Sequence, residues 1–309
     1  MRTGVANSVM VRVPAKVNLQ LSVGPKEADG FHGVVTVFQS ISLFDEITIT
    51  REEIGNGLTV KISGDHIHGV PIDDTNLSAR AALLMAEKYD LPLDLTISIK
   101  KAIPVAGGMA GGSADAAATI LGLDALFELG LMREEMQQVA ALLGSDVPFM
   151  LSGGTAVGRG RGDQVTAALS RGTYHWVLAV SSSGLSTPAV YDECDRLRAG
   201  MNIATPQLSD HLLQALLTGD PLKLGKILIN DLQPAACSLR PALRLILDVG
   251  SEYGALGSIV SGSGPTVAFL VSDEEHALDL AVALTSSGVV GSVARASGPV
   301  PGAKVVEIK

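Results

Sequence analysis

A chain of 309 residues, 47% hydrophobic and 18% charged, is long enough for one large or two ordinary domains and too apolar to be disordered. Its formal charge of −9, from 23 Lys and Arg against 32 Asp and Glu, comes with no Lys/Arg cluster, which argues against a nucleic-acid partner. No apolar run of roughly 18 residues argues for a membrane span, and the two cysteines, Cys194 and Cys237, have neither disulfide-framework nor metal-site spacing. Two free thiols, a reducing compartment and no dedicated metal-ligand set are the expectation. Residues 1–9 are too short for an organellar transit peptide, so a bacterial cytoplasm is expected.

Residues 10–50 read as strands. Val17, Leu19, Leu21 and Val23 alternate with Asn18, Gln20 and Ser22, further alternation follows over Thr36–Ile41 and Ile47–Thr50, and Asp29-Gly30 marks the turn between the first two. The alternation puts Lys16 and Asn18 on the face opposite Val17, Leu19 and Leu21. Leu77–Tyr89 has helical composition after Asp73-Asp74-Thr75-Asn76, and Leu95–Ile99 alternates as a strand. A helix follows the next turn, with Ala116, Ile120, Leu123 and Phe127 on one face, Ser113 as N-cap and Asp115 in its first turn. Residues 134–143 form another, ended by Gly144.

The Gly- and Arg-rich stretch 153–172 is where a domain boundary is expected, at 160/161. Beyond it come a strand at Trp176–Val180, helices around 207–219 and 240–249, and a strand, tight turn and strand over Ser258–Ser261, Gly262–Pro265 and Thr266–Val271. Ser272 and Glu275 form a capping box for a helix through Leu284. Strands and helices without regular alternation indicate an α+β fold.

The turn Pro104-Val105-Ala106-Gly107-Gly108-Met109-Ala110-Gly111-Gly112-Ser113 joins a strand to a helix. Glycine admits positive φ and close backbone approach, and a helix start supplies unpaired N–H donors and about half a positive charge. The combination suits a polyphosphate, although a tight connection is the plainer reading of such a turn alone. A Walker loop is excluded because Gly112-Ser113-Ala114 lacks its lysine. A dinucleotide fingerprint is disfavoured because Asp124 and Glu128 fall inside the following helix.

Pro104-x-x-x-Gly108-x-x-Gly111-Gly112-Ser113-x-x-Ala116-Ala117 resembles the phosphate loop of the galactokinase, homoserine kinase, mevalonate kinase and phosphomevalonate kinase superfamily. Pro14-Ala15-Lys16-Val17-Asn18-Leu19 and Ser261-Gly262-Ser263-Gly264-Pro265-Thr266 resemble its first and third motifs, in the right order. Ala28–His32, Thr75-Asn76-Leu77, Lys101, Gly144–Phe149 and Thr187–Tyr191 resemble those members that phosphorylate a cytidine diphosphate-linked methylerythritol in the non-mevalonate isoprenoid route.

The resemblance implies an α+β, two-domain small-molecule kinase fold with a cleft between domains, residues 1–160 carrying ATP and 161–309 the acceptor side. It implies ATP with Mg²⁺, a small-molecule acceptor, and a monomer or weak homodimer. Asp146 is the implied catalytic base; by itself, an Asp between Gly144 and Pro148 also reads as a plain turn residue. Lys16 is implied beside it. Asn76, Lys101, Pro104, Val105, Ala106, Gly107, Gly108, Met109, Ala110, Gly111, Gly112, Ser113 and Ala114 are implied to hold ATP. Asn18, Phe31, His32, Thr187, Tyr191, Gly262, Ser263 and Gly264 are implied on the acceptor side, with His32 reading the cytosine edge and Tyr191 stacking on its face. The chain departs from the family pattern at Phe31, where Tyr is usual, and at Ala114, where relatives often carry Ser.

Overall fold

The computed structural model describes residues 6–65, 67–181 and 183–309; residues 1–5, the start of the N-terminal segment read above, lie outside the described residues. In chain order the elements are β1 (Ser8–Lys26), β2 (His32–Arg51), β3 (Leu58–Gly64), α1 (Leu77–Tyr89), β4 (Leu95–Lys101), α2 (Gly111–Phe127), α3 (Arg133–Leu143), α4 (Val147–Ser152), β5 (Thr155–Arg159), β6 (Gln164–Ala167) and β7 (Tyr174–Val180). They continue with α5 (Thr187–Leu197), α6 (Asp210–Thr218), α7 (Pro221–Gly225), β8 (Ile229–Asn230), α8 (Gln233–Leu239), α9 (Ala242–Glu252), β9 (Gly257–Val260), β10 (Val267–Val271), α10 (Glu274–Ser287), β11 (Ser292–Gly298) and β12 (Lys304–Ile308). The architecture is α+β, with an eight-stranded sheet ordered β12-β1-β2-β4-β3 and branching to β5, β6 and β8, and a four-stranded sheet ordered β11-β7-β10-β9.

The long β1–β2 hairpin organises the larger sheet. Its register shifts after Pro14, where a proline cannot donate to the ladder, and β2 divides its free edge between two partners: Glu46–Arg51 pair with β4 and Thr36–Gln39 with β5. Helix α2 lies against β1 and β2 with α1, α3 and α4 around it, so it is buried on nearly every side rather than along one stripe. Its small residues make that possible: a Cβ at Gly122 would stand 2.7 Å from Ile49 Cδ1.

The 160/161 boundary does not coincide with the sheets. The β5–β6 hairpin straddles it, and β8 and β12 return to pair with β1. The glycines there serve a hairpin turn, with Gly160 at φ 68° and Gly162 at φ 99°, and do not mark a linker. The two sheets are tied where Trp176 Nε1 of β7 donates to Gln39 Oε1 of β2 at 3.1 Å.

Two helix starts differ from their expected positions. Helix α2 begins at Gly111 behind Ala110, which sets Ser113 inside the helix and Asp115 beyond the first turn. Helix α10 is capped by Asp273, whose carboxylate accepts from His276 N at 2.9 Å, in place of the Ser272 capping box.

Candidate active site

Among the four loop glycines only Gly108 has positive φ, at 76°; the other positive-φ positions are Ala106 at 51° and Ala110 at 60°. Proximity explains the rest. A Cβ at Gly107 would lie 3.0 Å from Thr266 Oγ1, one at Gly111 3.1 Å from Lys101 Nζ, and one at Gly108 2.0 Å from Ser261 O. The β9–β10 turn and β1 clamp the loop: Ser261 Oγ and Lys16 Nζ donate to Gly108 O at 3.0 and 2.8 Å, and Thr266 N donates to Gly107 O at 3.2 Å.

Pro104, Ala106, Gly107, Gly108, Ala110, Gly111, Gly112 and Ser113 line a cavity of about 540 Å³ together with Lys16, Asn18, Asp146, Gly262 and Ser263. The first turn of α2 thus borders the cavity with N–H groups that have no acceptor within the helix, a geometry suited to an anion. Val105, Met109 and Ala114 do not line it; Met109 and Ala114 are fully buried in the core, so the Ala114 departure removes no group from the cavity.

Asn76 and Lys101 also depart from the roles expected of them. Asn76 caps α1, with Oδ1 accepting from Ser78 N and Nδ2 donating to Pro71 O, both at 2.8 Å. Lys101 is 3% exposed and sits under the loop between Asp45 at 2.5 Å and Asp115 at 2.8 Å. Asp45 Oδ1 accepts from Ala102 N and Ile103 N at 2.6 and 2.9 Å, fixing the chain as it enters the loop. Burial works against the Lys101 charge, but Asp115 and Asp45 more than offset it and hold the ammonium above its usual range; burial pushes Asp115 well up. An acid inside the otherwise uncharged Gly111–Gly122 run was the available signal for this cluster.

Lys16 projects from β1 and is 3% exposed. Its ammonium donates to Asn18 Oδ1 at 2.6 Å and stands 3.7 Å from Asp146 Oδ2. Asn18 is oriented in turn by its 2.8 Å bond to Thr36 Oγ1. Burial lowers the Lys16 pKa, against the opposing pull of Asp146. Asp146 precedes α4, with Pro148 in that helix's first turn, and its side chain makes no capping bond, leaving the carboxylate free for the cavity. Gly262, at φ 56°, makes room for this group: a Cβ there would stand 3.2 Å from Lys16 Nζ and 3.4 Å from Asn18 Oδ1.

A second cavity of about 560 Å³ adjoins the first and is lined by Phe31, His32, Thr187 and Tyr191. His32 and Tyr191 rings lie 5.1 Å apart at 36°, and His32 Nε2 is 2.8 Å from Asp195 Oδ1. Burial pushes the Tyr191 phenol up to about 12, so it stays neutral. Thr187 and Ser263 hydroxyls meet at 2.9 Å, whereas Gly264 closes the turn, its N–H donating to Ser261 O at 2.8 Å, and does not line the cavity. Asp195, Arg161 and Asn230 were not legible in advance. Asn230 fixes the hairpin by donating to Val260 O and Gly262 O, both at 2.7 Å.

Residues 76–154 match the GHMP kinases N terminal domain and residues 212–290 the GHMP kinases C terminal. A 4-diphosphocytidyl-2-C-methyl-D-erythritol kinase of Thermobifida fusca is 53% identical over 304 residues, covering 97% of this chain and 98% of its own. A crystal structure of a 4-(cytidine 5'-diphospho)-2C-methyl-D-erythritol kinase superposes with a TM-score of 0.74 at 29% identity, covering 93% of this chain and 98% of that one. A homoserine kinase from Cytophaga hutchinsonii shares the fold, with a TM-score of 0.74 at 18% identity over 99% of both chains. With near-complete coverage at this identity, the chain belongs to the GHMP kinases and, within them, to the 4-diphosphocytidyl-2-C-methyl-D-erythritol kinase family.

Proposed function

We propose that the chain transfers the γ-phosphoryl group of ATP to the 2-hydroxyl of 4-diphosphocytidyl-2-C-methyl-D-erythritol, giving the 2-phosphate and ADP, in non-mevalonate isoprenoid precursor synthesis. The observation that carries the reading is the buried Lys16 ammonium, bonded to Gly108 O of the phosphate loop at 2.8 Å and 3.7 Å from the Asp146 carboxylate. One charged group thereby touches the anion site and the base.

Asp146 accepts the proton of the acceptor hydroxyl as that oxygen attacks phosphorus. Lys16, 3.7 Å from Asp146, stabilises the developing alkoxide. The loop N–H groups and the α2 terminus receive the phosphates, and His32 with Tyr191 hold the cytosine. Among the described residues no group of three or more His, Cys, Asp and Glu is placed to hold a metal, and Asp146 is the one carboxylate among the residues that line the cavity, with the Ser113 hydroxyl at the loop. That fits Mg²⁺, which favours phosphate oxygens and water and would supply charge neutralisation there. We place the enzyme in a bacterial cytoplasm; no helix among the described residues is long and apolar enough to cross a membrane.

The test is Asp146→Asn in a coupled ADP-release assay, run across cytidine-linked, homoserine, mevalonate and sugar acceptors. Loss of a general base lowers kcat by roughly 10²–10⁴-fold with ATP binding nearly intact. Near-normal turnover in the variant, or wild-type activity confined to acceptors without cytidine, overturns the reading.

A further inference from the structure

Six residues line both cavities: Val34, Ser145, Arg161, Thr187, Pro188 and Tyr191. An acceptor with its base at His32 and its reacting hydroxyl at Asp146 spans the two, so the diphosphate that links base to polyol crosses this shared wall. Arg161 is the cation there. Lys16 stands beside the catalytic carboxylate, 3.7 Å from Asp146, and Lys26 is held at the outer rim by Asp192 and Asp195 at 3.7 and 3.3 Å; Arg161, paired with Asp29, is the cation that lines both cavities.

Arg161 is presented for such a contact. It sits in the β5–β6 turn, fixed by its own N–H donating to Asp163 Oδ1 at 3.0 Å. Its guanidinium stacks 3.9 Å above the centroid of Phe31, and Nη2 donates to Asp29 Oδ2 at 2.7 Å. Asp29 is itself set by Phe31 N donating to Oδ1 at 3.0 Å. One donor of the guanidinium is therefore engaged and the rest are free, on a side chain that is 53% exposed. A guanidinium seated over a ring face leaves its other N–H donors available to neighbouring oxygens, which suits two adjacent phosphate groups.

We infer that Arg161 binds the diphosphate of the nucleotide-linked acceptor, with Phe31 as the platform under its guanidinium and Asp29 as the exchangeable partner that occupies it when no acceptor is bound. The inference rests on the acceptor named above and adds the residue that reads its anionic linker. An ion pair between two half-exposed groups is weak, so handing the guanidinium from Asp29 to a diphosphate costs little. The phenol hydroxyl missing at Phe31 is not needed for this platform, because the stacking face of the ring carries the contact.

The test is steady-state kinetics of the full chain with MgATP and 4-diphosphocytidyl-2-C-methyl-D-erythritol. Arg161→Met, which keeps the packing stem and removes the charge, is expected to raise the acceptor KM roughly 10–100-fold while kcat and the ATP KM stay within about twofold. Arg161→Lys recovers part of the loss, and the rise of acceptor KM with salt expected of the wild type is flatter in Arg161→Met. Asp29→Asn is expected to leave the acceptor KM at or below the wild-type value. A wild-type acceptor KM in Arg161→Met overturns the inference. So does an Asp29→Asn variant impaired as much as Arg161→Met, since Arg161 then only braces the turn. A wild type that turns over other acceptors and not this one overturns the proposed function together with the inference.

Discussion

Beneath the phosphate loop, the side chains of Lys101, Asp45 and Asp115 are 2%, 0% and 4% exposed; at the acceptor end, those of Arg161, Asp29 and Lys26 are 53%, 48% and 49% exposed. Both ends pair lysine or arginine with carboxylates, yet the physical consequences are opposite. A buried ion cannot recover its hydration if a partner leaves, so the cluster under the loop is fixed scaffolding. A half-exposed pair exchanges partners at little cost, which is what a site that admits and releases an anionic substrate requires. The loop must be preorganised for phosphates; the acceptor end must be able to let go.

The two lysines of the cleft floor sharpen the contrast. Lys101, gripped by two carboxylates at 2.5 and 2.8 Å, is held above its usual pKa, whereas Lys16, with one carboxylate at 3.7 Å, is lowered by burial. Lys101 therefore contributes stability that is complete below its unfolded pKa of 10.5 and is lost only as pH rises through the still higher folded value. Lys16 releases its proton more readily than a free lysine, so its burial cost is relieved at a pH below 10.5.

The largest effect is expected from Lys101→Met. It leaves Asp45 and Asp115 facing each other without a cation and costs about 3–5 kcal/mol of folding stability, read by urea denaturation. A loss below about 1 kcal/mol would erase the distinction between the two ends. Next is the alkaline limb of the pH–rate profile. Because the charged form of Lys16 is the one that assists Asp146, kcat falls about tenfold per pH unit once pH passes the lowered Lys16 value, before 10.5 is reached. A rate that holds constant up to that pH would mean the ammonium is not needed. The smallest is Ala110→Gly, which relieves the left-handed backbone at φ 60° and stabilises the fold by about 1 kcal/mol, measured as a rise in Tm. If its ATP KM rises while Tm increases, the strain at Ala110 holds the loop in its phosphate-receiving shape.

Much of the fold was legible because local signals and tertiary packing agreed. The Leu77–Tyr89 helix appears with those bounds, and the 258–271 hairpin appears with its first strand one residue earlier, at Gly257–Val260, and its second one residue shorter, at Val267–Val271. The start of α2 was misread at Ser113, since a serine before an apolar run is a cap signal wherever it stands, while the real cap is a strained alanine that composition does not reveal. The loop glycines were read as positions of positive φ and close approach; one of the four has positive φ, and at the other three Thr266, Lys101 and Leu77 crowd the place of a Cβ at 3.0, 3.1 and 3.3 Å. The roles expected for Asn76 and Lys101 differ for a related reason. Their hydrogen bonds to Pro71 and Ser78, and to Asp45 and Asp115, depend on partners that a motif does not specify.

The sequence by itself carried the glycine loop, the order of the three motifs and the nomination of Lys16, Asp146, His32 and Tyr191 as site residues, because each lies in a short motif whose resemblance to the family can be read without knowing its neighbours in space. Only the tertiary structure decided that the loop rests on a buried Lys101 cluster, that the chain's last strand returns to its first sheet, and that Arg161 reaches the wall between the two cavities. Those features join residues far apart in the chain, Arg161 to Asp29 and Lys101 to Asp45 among them. Their separation is set by strand pairing and burial, which act across the whole molecule and leave no mark in any short stretch of sequence.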